Sequence, residues 1–216
     1  MSFGALLACG EGGDAFARAV AVCAAAMDAG DDVFLYLLHE GPRGVHAPRL
    51  QALRDRGMRL FCCAFGARGR GIEVDDAAVY CGMGTLADII ASVDRFASFT
   101  GARSDGGIRG PQEGGAGAKR RVVVSVCADP GTDDRPVEGI RVAAGLSASG
   151  RLDVGLILGG EARRCLESGG ATAPHGADLF AQLRSFREAG GTVWEEGRGG
   201  AAGEARLKGS FAILEF

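Results

Sequence analysis

Two stretches in opposite halves of the chain carry the same pattern. Leu50-x-x-Leu53-Arg54-Asp55-x-Gly57 recurs as Leu183-x-x-Phe186-Arg187-Glu188-x-Gly190. In each, an amphipathic segment stops at a glycine and an apolar run follows at once. That is the signature of a helix handing over to a buried strand. Gly30 before Asp32-Val33 recurs, one residue longer, as Gly150 before Asp153-Val154. The spacing reads as an internal duplication of a strand–helix unit of about 95 residues. Alternation of this kind predicts an α/β fold: two similar three-layer α/β/α units with mainly parallel sheets and right-handed crossovers.

Between the halves, residues 100–120 hold seven glycines and no apolar periodicity. They read as a Gly-rich linker or long surface loop, separating units 1–99 and 121–216. Glycine is high throughout, 37 of 216 residues, but shows no collagen period. The net charge of −3 gives no reason to expect a nucleic-acid partner. No apolar run reaches the ~18 residues of a membrane span. The apolar start, Met1 to Cys9, lacks a basic region and an adequate hydrophobic stretch for export, so the expected location is cytoplasmic.

In the first half, Phe3–Cys9, Val33–Leu38, Met58–Cys63 and Phe96–Phe99 are predicted strands. Asp14–Ala29, Pro48–Arg56 and Thr85–Val93 are predicted helices, the first capped by Asp14 and ended by Gly30. In the second, Arg121–Cys127, Val154–Leu158, Thr192–Glu195 and Phe211–Phe216 are predicted strands. Pro136–Ser149 and Ala177–Ala189 are predicted helices.

Sites in open parallel sheets form at the carboxyl ends of the strands. There the first half places Cys9 and Gly10, His39 and Glu40, Cys62 and Cys63, and then the loop Gly66-Ala-Arg68-Gly-Arg70-Gly71, with Cys81 before the next long helix. Seven cysteines in a reducing compartment are expected as thiols. No C-x-x-C or C-x-x-H pair occurs, so neither a metal nor another cofactor is expected. Cys62 and Cys63 are strand neighbours and point to opposite faces. Cys63, the later one, is expected to meet solvent. A nearby guanidinium, from Arg68 or Arg70, favours the thiolate and makes such a cysteine nucleophilic. His39 and Cys62 are candidate substrate-binding neighbours. The bland alternative is a buried strand cysteine beside a solvated basic loop. Cys127 and Cys165 are expected to be packing residues, Trp194 a core residue, and His46 and His175 helix-start residues.

The string Cys63-Ala-Phe-Gly-Ala-Arg-Gly-Arg70-Gly71-Ile72 resembles the loop of the DsrE/DsrF-like (YchN-like) family. There a strand-end cysteine precedes, by eight residues, the glycine of an Arg-Gly-Ile/Val signature. Ala5–Cys9, Asp14–Gly30, Asp32–Leu38, Leu50–Phe61 and Leu86–Ile90 match the family's other segments. Val122–Pro130, Ile140–Leu146 and Asp153–Gly160 extend the resemblance through the second half. The resemblance implies a sulfur-relay protein, in which Cys63 holds a persulfide and passes it on. Arg70 and Arg68 would stabilise the anion. Sulfur donor and acceptor proteins would be the partners, and a homo-oligomer, trimer or hexamer, the assembly. Aligning Gly57 with Gly190 puts Glu196 where Cys63 stands, so the second unit would lack the reactive residue and serve structure or docking.

Three alternatives follow from the same residues. One is a non-catalytic assembly or binding module in which Cys63 is inert. The second is a nucleotide-binding domain, from Gly10-Glu-Gly12-Gly-Asp-Ala15 and Glu40, opposed by the negative charge of Glu11 and Asp14 where a pyrophosphate would sit. The third is a metal or cluster site built from Cys9, Cys62 or Cys63, and Cys81.

Overall fold

Every predicted strand and helix named above has a counterpart in the computed structural model, which describes residues 1–101, 108–109, 118–167, 176–195 and 209–216. Two compact units result, Met1–Pro111 and Gln112–Phe216, each organised around its own parallel sheet.

Unit 1 runs β1 (Ser2–Leu7), α1 (Asp14–Asp28), β2 (Asp32–Leu37), a 3-10 turn (Gly41–Gly44), α2 (Pro48–Asp55) and β3 (Arg59–Cys63). It continues with α3 (Ala64–Gly69), β4 (Val79–Cys81), α4 (Met83–Ser92) and β5 (Arg95–Phe99). The strands are all parallel, in the order β4-β3-β2-β1-β5. Period-two alternation sends Phe3, Ala5, Leu7, Val33, Leu35, Leu37, Leu60 and Cys62 to one face. There they bury Phe16, Ala19, Val20 and Cys23 of α1 and Leu50 and Leu53 of α2. The other face takes α4. A side chain at Gly4 of β1 would lie 3.1 Å from Ile89 and 2.9 Å from Phe96, so only glycine lets the helix approach this closely.

Unit 2 runs β6 (Arg121–Val126), α5 (Arg135–Ala148), β7 (Asp153–Leu158), a 3-10 turn (Gly160–Arg163), α6 (Arg164–Glu167), α7 (Gly176–Glu188), β8 (Thr192–Glu195) and β9 (Ala212–Glu215). Its order is β8-β7-β6-β9, again parallel. This is the order of unit 1 without a counterpart of β4 among the described residues. Helix α5 packs against α7, β6 and β7. The repeated sequence pattern plays one part in both units. Leu50, Leu53, Leu183 and Phe186 are buried. Gly57 and Gly190 end their helices at φ +110 and +85, a left-handed conformation that side chains resist.

Four local expectations change. Asp14 does not cap α1: Gly13 occupies the cap position without a side-chain bond, and Asp14 is the first helical residue. The stretch around Gly66 is not a loop but α3. Cys63 Sγ accepts the Gly66 N–H at its start, and Ile72 N–H returns to Ala67 O at 3.0 Å at its end. Strand β4 has no counterpart in the sequence reading. Within the glycine-rich stretch, Arg109 pairs antiparallel with Phe96 through two 2.9 Å backbone bonds, which ties that point to β5. The linker's other residues at 102–107 and 110–117, together with His175 and Glu196, lie outside the described residues. No helix among the described residues is long and apolar enough to cross a membrane.

Candidate functional site

The carboxyl edge of the unit 1 sheet gathers His39, Glu40, Cys63, Arg70 and Cys81 from three strand ends and the segment after α3. Its first fixed point is the turn that leaves β2. Leu38 N–H bonds Leu7 O at 2.9 Å, and Gly41 N–H returns to Leu38 O at 2.8 Å. That geometry places His39 at φ 51, the one non-glycine residue with positive φ among the described residues. A residue of this kind is held there by its surroundings at some energetic cost.

Arg70 locks this turn to the segment after α3. Its Nε donates to Glu40 Oε1 at 2.9 Å, and one terminal amine donates to the Gly66 carbonyl at 3.3 Å. Its other terminal amine sits 2.7 Å from Glu40 Oε1 and 3.3 Å from His39 Nδ1. A guanidinium only donates, so Nδ1 of His39 is the acceptor of that bond. Arg43 donates to the second Glu40 oxygen at 2.6 Å. Burial alone would raise the Glu40 carboxyl, but the bonds from Arg70 and Arg43 outweigh it and hold the group below its usual value. A carboxyl lowered on folding contributes stability above its unfolded value of about 4.3, and that contribution is lost as pH falls through the lower folded value. Glu40→Gln is therefore expected to flatten the acid limb of a stability–pH curve below about pH 4. The change should amount to a few tenths of a kcal/mol, because the Glu40 side chain is 37% exposed.

Cys63 departs from its expected exposure: only 1% of its surface meets solvent. The strand does end there, but α3 begins at the next residue and folds its first turn over the thiol. Gly66 N–H points at Sγ from 3.4 Å. Tyr36, fully buried on β2, lies beside Cys63 and Cys81. Its hydroxyl also reaches the carbonyls of Cys81 and Gly82, at 3.3 and 3.1 Å. Burial and the two neighbouring cysteines push the Tyr36 phenol up, so it serves as a neutral donor. Arg68 is exposed on α3 and makes no hydrogen bond or ion pair with these groups among the described residues.

Cys62 points the other way, into the core beside Leu35 and Leu37. Burial there raises its thiol to about 12. The structure therefore gives it a packing role instead of a place beside Cys63. The same opposition separates it from Cys63 and Cys81 as a ligand, and no group of three or more His, Cys, Asp or Glu side chains among the described residues is arranged to hold a metal. The turn Gly10–Gly13 does lie between β1 and α1, with Glu11 and Asp14 both exposed at the helix start. Two carboxylates there oppose a pyrophosphate. His46 precedes α2 by two residues and pairs with Asp75 at 3.4 Å.

Of the remaining cysteines, Cys165 is buried as expected, but Cys127 is exposed, because β6 ends one residue earlier. Trp194 is half-buried, and its ring lies so close to Gly155 that an added side chain there would come within 2.0 Å. Burial raises Cys23 to about 12. Since the thiolate is the nucleophile, alkylation at neutral pH should modify Cys127 first and reach Cys23 and Cys62 only on unfolding, a sequence that peptide mass mapping against time reads, with fragment ions separating Cys62 from Cys63.

Tyr36 is the site residue that sequence reading did not single out, and Cys81 was named at this edge without being paired to Cys63. The pairing comes from strand register, which places Cys81 opposite Cys63. The chain matches no protein-family model, no curated protein and no solved structure. The site thus defines a class only: a thiol centre at the carboxyl edge of a parallel sheet.

Proposed function

We propose that the chain is a cytoplasmic sulfur carrier in which Cys63 holds sulfur as a persulfide. The observation that carries this reading is the Gly66 N–H aimed at Cys63 Sγ from 3.4 Å. A donor fixed on the sulfur holds it in one position for the transfer. In the carrier step, Cys63 thiolate attacks the terminal sulfur of a donor persulfide. A new S–S bond forms on Cys63, and the donor leaves as its thiolate with the bonding pair. An acceptor thiolate then takes the terminal sulfur and releases Cys63.

Arg70, fastened by Glu40 and His39, supplies fixed positive charge at this edge. Covering by α3 shields the loaded sulfur from stray thiols, and loading needs that six-residue helix to lift. The donor and acceptor are proteins in this reading. The trimer or hexamer, and a docking role for unit 2 as the product of a duplication, rest on the resemblance stated above.

A second reading, the non-catalytic binding module, is favoured by the 1% exposure of Cys63 and by the Glu40 charge that offsets Arg70. Transfer from a small persulfide to a thiol acceptor separates the two. The carrier passes about one sulfur per chain through Cys63, and Cys63→Ser passes none. In the binding module, the native chain and the variant are equally inactive.

A further inference from the structure

Cys63 and Cys81 are register partners on neighbouring parallel strands, so their side chains leave the same face of the sheet. Adjacent strands run about 4.8 Å apart, inside the 4.4–6.8 Å Cα separation that disulfides span. The Tyr36 hydroxyl, bonded to the carbonyls of Cys81 and Gly82, ties β2 to the end of β4 beside this pair. Strand β4 can close the remaining gap. It is three residues long, forms the edge of the sheet, and is followed by Gly82 and Gly84, neither of which has another atom within 4 Å of a side-chain position. The two thiols also differ in access. Cys81 is half-buried, whereas Cys63 lies beneath α3.

We propose that Cys81 and Cys63 form a redox-active dithiol pair that exchanges with low-molecular-weight disulfides, Cys81 attacking first and Cys63 resolving. In the first step Cys81 thiolate attacks one sulfur of the small disulfide. A mixed disulfide forms on Cys81, and one small thiolate leaves with the electron pair of the broken bond. In the second step Cys63 thiolate attacks Cys81 Sγ, forming the Cys63–Cys81 bond and expelling the second small thiolate. The protons lost by Cys81 and Cys63 end on the two small thiols. The pair is oxidised by two electrons and the small disulfide is reduced by two. The difference in exposure assigns the order, because Cys81 is the half-buried residue of the pair and Cys63 the buried one. This goes beyond the carrier reading and needs no persulfide.

The experiment treats the full-length protein with oxidised glutathione, traps remaining thiols, and maps linked peptides by mass spectrometry under non-reducing conditions. The expected result is a Cys63–Cys81 link with loss of two hydrogens, and loss of both sites from alkylation together. Cys63→Ser and Cys63→Ala are expected to stop halfway, accumulating glutathione on Cys81. Cys81→Ser should leave Cys63 without an adduct over the same interval. Circular dichroism of each variant confirms that it is folded, and the native chain's own link needs no variant. The proposal is overturned if treated native protein keeps both thiols alkylatable as before, or if glutathione accumulates on Cys63 in Cys81→Ser. Because no sulfur donor is present, either outcome leaves the carrier reading to its own test.

Discussion

Replacing Phe16 with alanine is expected to cost unit 1 about 3–5 kcal/mol, the range for removing a buried phenylalanine. Phe16 is 2% exposed on α1 and belongs to the core cluster under the sheet. Its ring also supports the 3-10 turn that follows the site: Cε2 lies 2.9 Å from where a side chain at Gly44 would begin. The substitution therefore removes apolar contact and leaves a cavity beneath the turn that follows Glu40. Thermal or urea unfolding of the purified variant would show a markedly lower midpoint. A loss below about 1 kcal/mol would mean that the core closes over the gap, against the close packing described here.

Gly41→Ala is the second large effect, and it acts on the site itself. An alanine Cβ at this position would lie 2.3 Å from the Leu7 carbonyl oxygen. The obstacle is backbone, and that oxygen already accepts the Leu38 N–H, so neither side can give way cheaply. The expected cost is about 1–3 kcal/mol from overpacking. The turn must also shift, which moves His39 and Glu40 and loosens Arg70. Faster alkylation of Cys63 should accompany the lower stability. Unchanged alkylation at reduced stability would show that the turn and the thiol are independent.

The frame of this fold was readable because its strands are short apolar runs bounded by glycine. Ser2–Leu7 and Asp32–Leu37 differ from the expected ranges by a residue or two at each end. Helix α3 was not readable, because Gly66, Gly69 and Gly71 look like breakers. It forms because Cys63 caps it, Ala67 is buried, and Gly71 at φ +66 ends it. Strand β4 escaped for a different reason. Val79-Tyr80-Cys81 is too short for a period, and Val79 is 58% exposed, so no apolar pattern marks it.

The same logic divides the site. Cys63 and His39 were legible as strand-end residues and Arg70 as part of the basic stretch after Cys63, and the structure brings them to one edge. Glu40, thirty positions before Arg70, was legible as a strand-end carboxylate but not as the partner of that arginine. Tyr36 was seen only as part of an apolar strand, and its hydroxyl acquires a role through register with β3 and β4. Exposure of Cys63 was misjudged because the cover comes from α3, the element that sequence reading took for a loop.

The most direct test of the sulfur-carrier account is peptide-resolved mass spectrometry of the folded chain after exposure to a small persulfide donor. The account predicts one added sulfur on the peptide holding Cys62 and Cys63, assigned to Cys63 by its fragment ions, with Cys23 unmodified. Added sulfur confined to exposed Cys127, or none on the Cys63 peptide, would contradict it.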